Sequence, residues 1–272
     1  MKQRILTALV ALPLVLLLLF SPVFGVVAAV MLASAMGFYE YCKAVKLWDN
    51  KLLCGVGFLP VLLIPLCSWM HIGTVQALLY LYALILFVIL LIHHKTVTWN
   101  HLALLILGII YIPYFLSHII YIRDMELGGF YIWLVFIGAF ITDTCAYFVG
   151  CGMGKTKLCP TISPKKTVAG AVGGIVGCGI AFLLFGMIAN LCFAGVLGGA
   201  QFSFVKLFVC GLLCAVVSEI GDLVASVLKR QFAIKDFGSL LPGHGGILDR
   251  CDSIILVAPV LFVFLQQVGV LV

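Results

Sequence analysis

Residues 5–39 read ILTALVALPLVLLLLFSPVFGVVAAVMLASAMGFY, without a single Asp, Glu, Lys or Arg. A helix crosses the hydrocarbon core of a bilayer with roughly 20 apolar residues, so this run is too long for one crossing and too apolar for a soluble surface. Pro22 divides it and disfavours helix at the residue before, which predicts a tight reversal and two spans, 5–21 and 23–39. Similar runs recur at 52–69, 74–92, 102–121, 130–149, 168–190, 204–224 and 253–271. Nine spans are therefore predicted in a chain of 272 residues that is 64% hydrophobic. The fold class that follows is an all-α polytopic membrane protein. Lys2 and Arg4 ahead of an apolar run resemble a secretory signal, but no small-x-small cleavage site precedes polar sequence, so the segment reads as a retained first helix.

The basic residues orient the spans. With the N-terminus inside, Lys2, Arg4, Lys43, Lys46, Lys51, Lys95, Lys155, Lys157, Lys165, Lys166, Lys229, Arg230, Lys235 and Arg250 share the cytoplasmic side. Only Arg123 and Lys206 of the 16 Lys and Arg fall on the other. The C-terminus is then outside, and the two longer loops, 150–167 and 225–252, are cytoplasmic. The net charge of +6 sets topology and also suits anionic partners. Eleven cysteines without CxxC or CxxxH spacing suggest neither a disulfide framework nor a zinc site. The chain divides into N-terminal spans over 1–128 and a chemistry-bearing region over 129–272.

That region concentrates the charge. Between Ser226 and Asp252 stand Lys229, Arg230, Lys235, Asp236, Asp249, Arg250 and Asp252, with His244 among glycines, although only 10% of the chain is charged. Charge beside a membrane is costly and tends to be functional. Asp143, Glu219 and Asp222 fall within or at the ends of spans, whereas Glu40 reads as an ordinary solvated loop residue. Asp249 and Asp252 are three apart and share a helical face, as do Ser218, Asp222, Ser226 and Lys229. Asp222, Asp249 and Asp252 are thus candidate magnesium ligands, since that ion takes oxygen donors and only one or two protein carboxylates. The bland alternative ties Asp222 to Arg230 or Lys229 as a helix brace.

Pro242-Gly-His244-Gly245-Gly246 can expose backbone N–H groups to an anion, with glycine admitting positive φ. Ser163-Pro-Lys165-Lys166-Thr167, at the start of a predicted helix, is a candidate phosphate site, although topology alone also explains its lysines. The stretch lacks Walker glycine spacing. The other histidines, His71, His93, His94, His101 and His118, read as interfacial.

The run Ser226-x-Leu228-Lys229-Arg230-x4-Lys235-Asp236-x-Gly238-x2-Leu241-Pro242-x-His244-Gly245-Gly246-Ile247-x-Asp249-Arg250-x-Asp252 closely resembles the signature of phosphatidate cytidylyltransferases, or CDP-diacylglycerol synthases. Asp143-Thr-x-Ala146-Tyr147-Phe148, Ser163-Pro-Lys-Lys-Thr167 and Gly221-Asp222-Leu223 resemble the family's other markers, so the likeness covers essentially the whole chain. The resemblance implies a cytoplasm-facing polar cavity in a bacterial inner membrane. It implies transfer of a cytidylyl group from CTP to phosphatidate, giving CDP-diacylglycerol and pyrophosphate in phospholipid biosynthesis. Catalytic roles are implied for Asp222, Lys229, Arg230, Lys235, Asp236, His244, Asp249, Arg250 and Asp252. Substrate contacts are implied for Asp143, Ser163, Lys165, Lys166, Thr167, Ser226, Gly245 and Gly246. Magnesium is the implied cofactor, with room for a second monovalent or divalent cation. The partners are membrane lipid and the two substrates, with a homodimer as an option and no nucleic acid. The chain departs from the family where Cys145 replaces a common Gly, where Ala169 and Ala225 replace common Glu residues, and at Cys251.

Two other readings compete. A CTP-dependent polyprenol- or dolichol-type lipid kinase would share a CTP site but not the full Lys-Arg to Asp-Arg-x-Asp signature. An ion-coupled transporter would place charge near mid-bilayer and on both faces, not at one face.

Overall fold

The computed structural model describes residues 19–70, 72–238 and 245–272. Seven helices among them are long and apolar enough to cross a membrane. The predicted span 5–21 lies almost wholly outside the described residues, as do Lys2, Arg4, His71, Leu241, Pro242, Gly243 and His244. The remaining predicted spans correspond to α1 (Val23–Ala44), α2 (Lys51–Met70), α3 (Ile72–Ile92), the Trp99–Asp124 segment, α6 (Gly128–Met153), α7 (Val168–Cys192), α8 (Phe204–Gln231) and α9 (Leu248–Gln267).

The Trp99–Asp124 segment is not one uniform helix. It runs as α4 (Trp99–Ile109), a π-helical turn over Ile110–Tyr114 and α5 (His118–Asp124). Pro113 stands inside that turn and cannot donate a backbone N–H, which favours a local widening of the helix. Ser117 Oγ donates to the Pro113 carbonyl at 2.6 Å and satisfies an oxygen there. His118, expected at an interface, is instead buried, and its Nδ1 donates to the Tyr114 carbonyl at 3.0 Å. The widened turn leaves carbonyls that its ring can reach. His101 keeps a local role, accepting from the Thr98 N–H in a capping box at the start of α4.

The chain forms two compact units. The first holds residues up to Asp124 together with Gln231–Cys251. Its core is built on Phe38 and Tyr41 of α1, with Leu53, Leu105, Ile109 and Ile112 fully buried beside them. Gly57 and Gly108 let those rings lie against α2 and α4, since a Cβ at Gly108 would stand 2.6 Å from Tyr41 Cε1. Tyr41 donates its hydroxyl to the Leu104 carbonyl at 2.9 Å, as a buried phenol requires.

The second unit holds Met125–Arg230 and Asp252–Val272. Between α6 and α7, the stretch expected to be an irregular loop folds as an antiparallel hairpin, β1 (Lys157–Cys159) with β2 (Ser163–Thr167), pairing Lys157 with Thr167. Helices α6 and α7 approach closely along Gly170, Gly173, Gly174 and Gly177. A Cβ at Gly173 would press on Val149 and one at Gly177 on Cys145. Small residues are how membrane helices gain van der Waals contact where the hydrophobic effect cannot pull them together. At the far end of α7, the Asn190 amide closes the turn, accepting from Phe202 N at 2.8 Å and donating to its carbonyl at 3.1 Å.

Candidate active site

A cleft of about 570 Å³ opens in the second unit, where the end of α6, the hairpin, the start of α7 and α8 converge. Asp143, Tyr147, Ser163, Lys165, Lys166 and Asp222 line it, with Glu219 deeper in its wall. The predicted phosphate segment is strand β2, and its last residue starts the next helix. Thr167 takes the N-cap of α7, where its hydroxyl accepts from Gly170 N at 3.1 Å. Gly150, Gly154 and Gly170 leave room for that side chain, and a Cβ on Gly154 would collide with the Gly150 carbonyl and Thr167.

Within the cleft, Lys166 Nζ lies 3.0 Å from Asp222 Oδ2. The bland alternative named Arg230 or Lys229 as the partner of Asp222; the lysine loop supplies a partner through Lys166. Arg230 instead donates Nε to the Ile162 carbonyl at 3.3 Å, tying the end of α8 to the hairpin turn. Lys229 and Ser226 are half-buried on α8, which extends to Gln231 and shortens the expected loop. Glu219 precedes Asp222 by three residues, so both project from one side of α8. Glu219 is only 7% exposed, and its Oε1 has no hydrogen-bond partner among the described residues. Gly174 makes space for that oxygen, since a Cβ there would stand 3.0 Å from it. Gly221 packs against the Asp252 carbonyl, bringing α8 and α9 together beside Asp222. Asp252 is buried and accepts from Ser253 N at 2.9 Å. Among the family departures, Ala225 is fully buried in α8, whereas Ala169 is half-exposed in the first turn of α7.

The remaining signature residues belong to the first unit. Asp249 Oδ2 accepts from Phe237 N at 2.9 Å and from Gly246 N at 3.0 Å. Gly245 has φ +85°, the left-handed backbone expected of an anion cradle. Lys235 and Asp236 are exposed at a second cleft of about 570 Å³ that Tyr39, Glu40 and Lys43 also line. Arg250 is exposed on the first turn of α9. His244 lies outside the described residues.

Glu40 overturns its reading as a solvated loop residue. It sits in α1 at 1% exposure, accepting from Ile247 N at 3.1 Å on Oε1 and from Leu248 N at 2.9 Å on Oε2. Its setting in Phe38-Tyr39-Glu40-Tyr41-Cys42 was the available signal, because a carboxylate inside an apolar run needs a partner. Chemically, the second-unit cleft places three lysines, Lys157, Lys165 and Lys166, beside several carboxylates, a combination that can hold phosphate oxygens and a hard cation. Among the described residues, no group of three or more His, Cys, Asp or Glu stands ready to hold a metal.

The cytidylyltransferase family model matches residues 2–268. A phosphatidate cytidylyltransferase of Bacillus subtilis is 34% identical over 278 residues, covering 97% of each chain. One of Rickettsia bellii is 32% identical over 212 residues, covering 78% of this chain and 88% of its own. One of Thermotoga maritima is 35% identical over 158 residues, covering 58% of this chain and 56% of its own.

Proposed function

The chain belongs to the cytidylyltransferase family, and from that premise we propose that it joins CTP and phosphatidate to give CDP-diacylglycerol and pyrophosphate. A phosphate oxygen of phosphatidate attacks the α-phosphorus of CTP. The bond from that phosphorus to the β-phosphate oxygen breaks, and pyrophosphate leaves with the electron pair. The nucleophile is already anionic near neutral pH, so no Ser-His activation is needed. What must be overcome is repulsion between two polyanions and the charge that grows on the leaving group, which positioning and preorganised cations do.

The observation that carries this reading is the Lys166–Asp222 pair at 3.0 Å inside a cleft that Lys165, Ser163 and Asp143 also line. Asp222 holds Lys166 in the cleft, so its ammonium meets an incoming phosphate without first being ordered. Lys165 adds a second positive charge. Tyr147, exposed at the same cleft on a membrane-spanning helix, suits a substrate whose acyl chains stay in lipid while CTP arrives from water.

The cleft's donors fit magnesium by their chemistry, being carboxylate oxygens, among them a buried Glu219 oxygen that has no hydrogen-bond partner among the described residues. Asp222 and Asp252 would hold it, and the ion would supply charge neutralisation at the phosphates. The protein is an integral membrane protein, and the reading places its cleft on the cytoplasmic side of a bacterial inner membrane. The test is labelled CTP with phosphatidate in detergent, with and without magnesium. Labelled CDP-diacylglycerol and an equal yield of pyrophosphate are expected only with the metal, and absence of lipid product in both arms overturns the proposal.

A further inference from the structure

Asp222 faces competing demands. Its Oδ2 holds the Lys166 ammonium at 3.0 Å, and the same carboxylate is a proposed magnesium ligand. A divalent ion bound there repels an ammonium on the same carboxylate, because charges so close together in a partly buried cleft are weakly screened. The Lys166 side chain is only 20% exposed and that of Asp222 32%, so bulk water does not take over as the partner of a displaced ammonium. The lysine then needs another anionic group inside the cleft.

Asp143 and Asp252 lie within electrostatic reach of Asp222. Asp143 is exposed to solvent, and Asp252 already accepts from Ser253 N. Glu219 differs from both. It is 7% exposed, lines the cleft, and has no hydrogen-bond partner for Oε1 among the described residues. A buried carboxylate that merely braced α8 would end on an N–H or a hydroxyl. Glu219 precedes Asp222 by three residues on α8, a spacing that sets the two Cβ atoms about 5–6 Å apart on one side of the helix. The charge of Lys166 already reaches it. Gly174 on α7 leaves room at that oxygen, since a Cβ there would stand 3.0 Å from Oε1. Lys166 carries its ammonium on a long flexible stem with rotatable donors, so a swing of one helical turn is open to it. We infer that Glu219 is a positioning residue that receives the Lys166 ammonium when a divalent cation takes Asp222, so that the lysine stays in the cleft beside the ion.

This hand-off rests on the cation site proposed at Asp222, and its test reads binding apart from turnover. Mn2+ alone is titrated into the full-length protein in detergent, without either substrate, and bound ion is followed by electron paramagnetic resonance. Glu219→Gln keeps the shape and removes the charge. The apparent Kd for Mn2+ should rise about tenfold, the scale of one lost charged contact. Beside Lys166→Met, which leaves no ammonium to displace, the same change should have little further effect. Should Glu219→Gln fold poorly, Glu219→Asp provides the second approach, since it keeps the charge and should retain most of the wild-type affinity. Equal weakening by Glu219→Gln with and without Lys166 would make Glu219 a direct ligand and overturn the hand-off. An unchanged Kd with a lowered melting temperature would leave Glu219 a brace between helices. Failure of the wild type to bind Mn2+ would remove the exchange, which needs a cation at Asp222. Coupling between Glu219 and Lys166 in a protein that makes no CDP-diacylglycerol would keep the hand-off and remove the activity assignment.

Discussion

Carboxylates serve different partners in the two units. In the second, Asp222 holds the ammonium of Lys166, and neighbouring Glu219 keeps a buried oxygen without a hydrogen-bond partner among the described residues. In the first, Glu40 and Asp249 are turned onto backbone N–H groups on either side of a Gly-rich loop. A side-chain ion pair can open and re-form around a charged substrate. A carboxylate that satisfies several buried amides cannot let go without leaving them unpaired, at a cost of about 1–3 kcal/mol each. The second unit thus carries a charge pair free to exchange partners, and the first carries carboxylates fixed on backbone amides.

The strongest way to break that contrast is Asp222→Asn. Loss of its charge should release Lys166 and weaken cation binding together, lowering turnover by about 10³-fold or more. Protein abundance and gel-filtration behaviour should be kept, and turnover within tenfold of wild type would remove Asp222 from the chemistry. Asp249→Asn is the matched experiment in the other unit. The amide oxygen can still accept from Phe237 and Gly246, so the loop should keep its protection from hydrogen exchange. If Asp249 also lends charge to the reaction, turnover should still fall by about 10²-fold, with a shifted magnesium dependence. Near-normal turnover with an unshifted dependence would leave Asp249 as a frame residue alone.

Lys166→Ala comes next, with an expected loss of about tenfold to a hundredfold in kcat/KM, the scale of a single charge-assisted contact. Combined with Asp222→Asn it should cost far less than the product of the separate losses, because the two act as a pair. Additive losses would mean that each group works alone. The smallest expected effect concerns orientation and leaves activity unchanged. Cys151 and Cys192 are both exposed, Cys151 near the end of α6 at the cleft where α7 begins and Cys192 as the last residue of α7. In single-cysteine versions, an impermeant maleimide should reach Cys151 from the cytoplasmic side and Cys192 from the other. Labelling of both from one side would contradict a crossing by α7.

Much of this molecule was legible along the chain. Because spanning a bilayer is a local demand on composition, the apolar runs locate eight helical segments among the described residues, seven of them long and apolar enough to cross a membrane, although α8 ends seven residues beyond its predicted span. The Lys-Lys-Thr stretch announced the start of α7, and the Ser218, Asp222, Ser226 and Lys229 spacing reported a real helix. The interrupted Trp99–Asp124 helix and the Lys157–Thr167 hairpin were less legible, since both depend on how carbonyls and strand edges find partners.

The sequence by itself determined a polytopic helical membrane protein with a charged signature of cytidylyltransferase type. Those properties are written in run length and residue spacing. Only the tertiary structure decided which cation Asp222 holds, that Glu219 is buried, and that Glu40 is bound to the N–H groups of Ile247 and Leu248 rather than to solvent. A carboxylate carries no local record of its partner. Which N–H or ammonium satisfies it depends on chain segments brought together from far apart in sequence, and packing alone makes that choice.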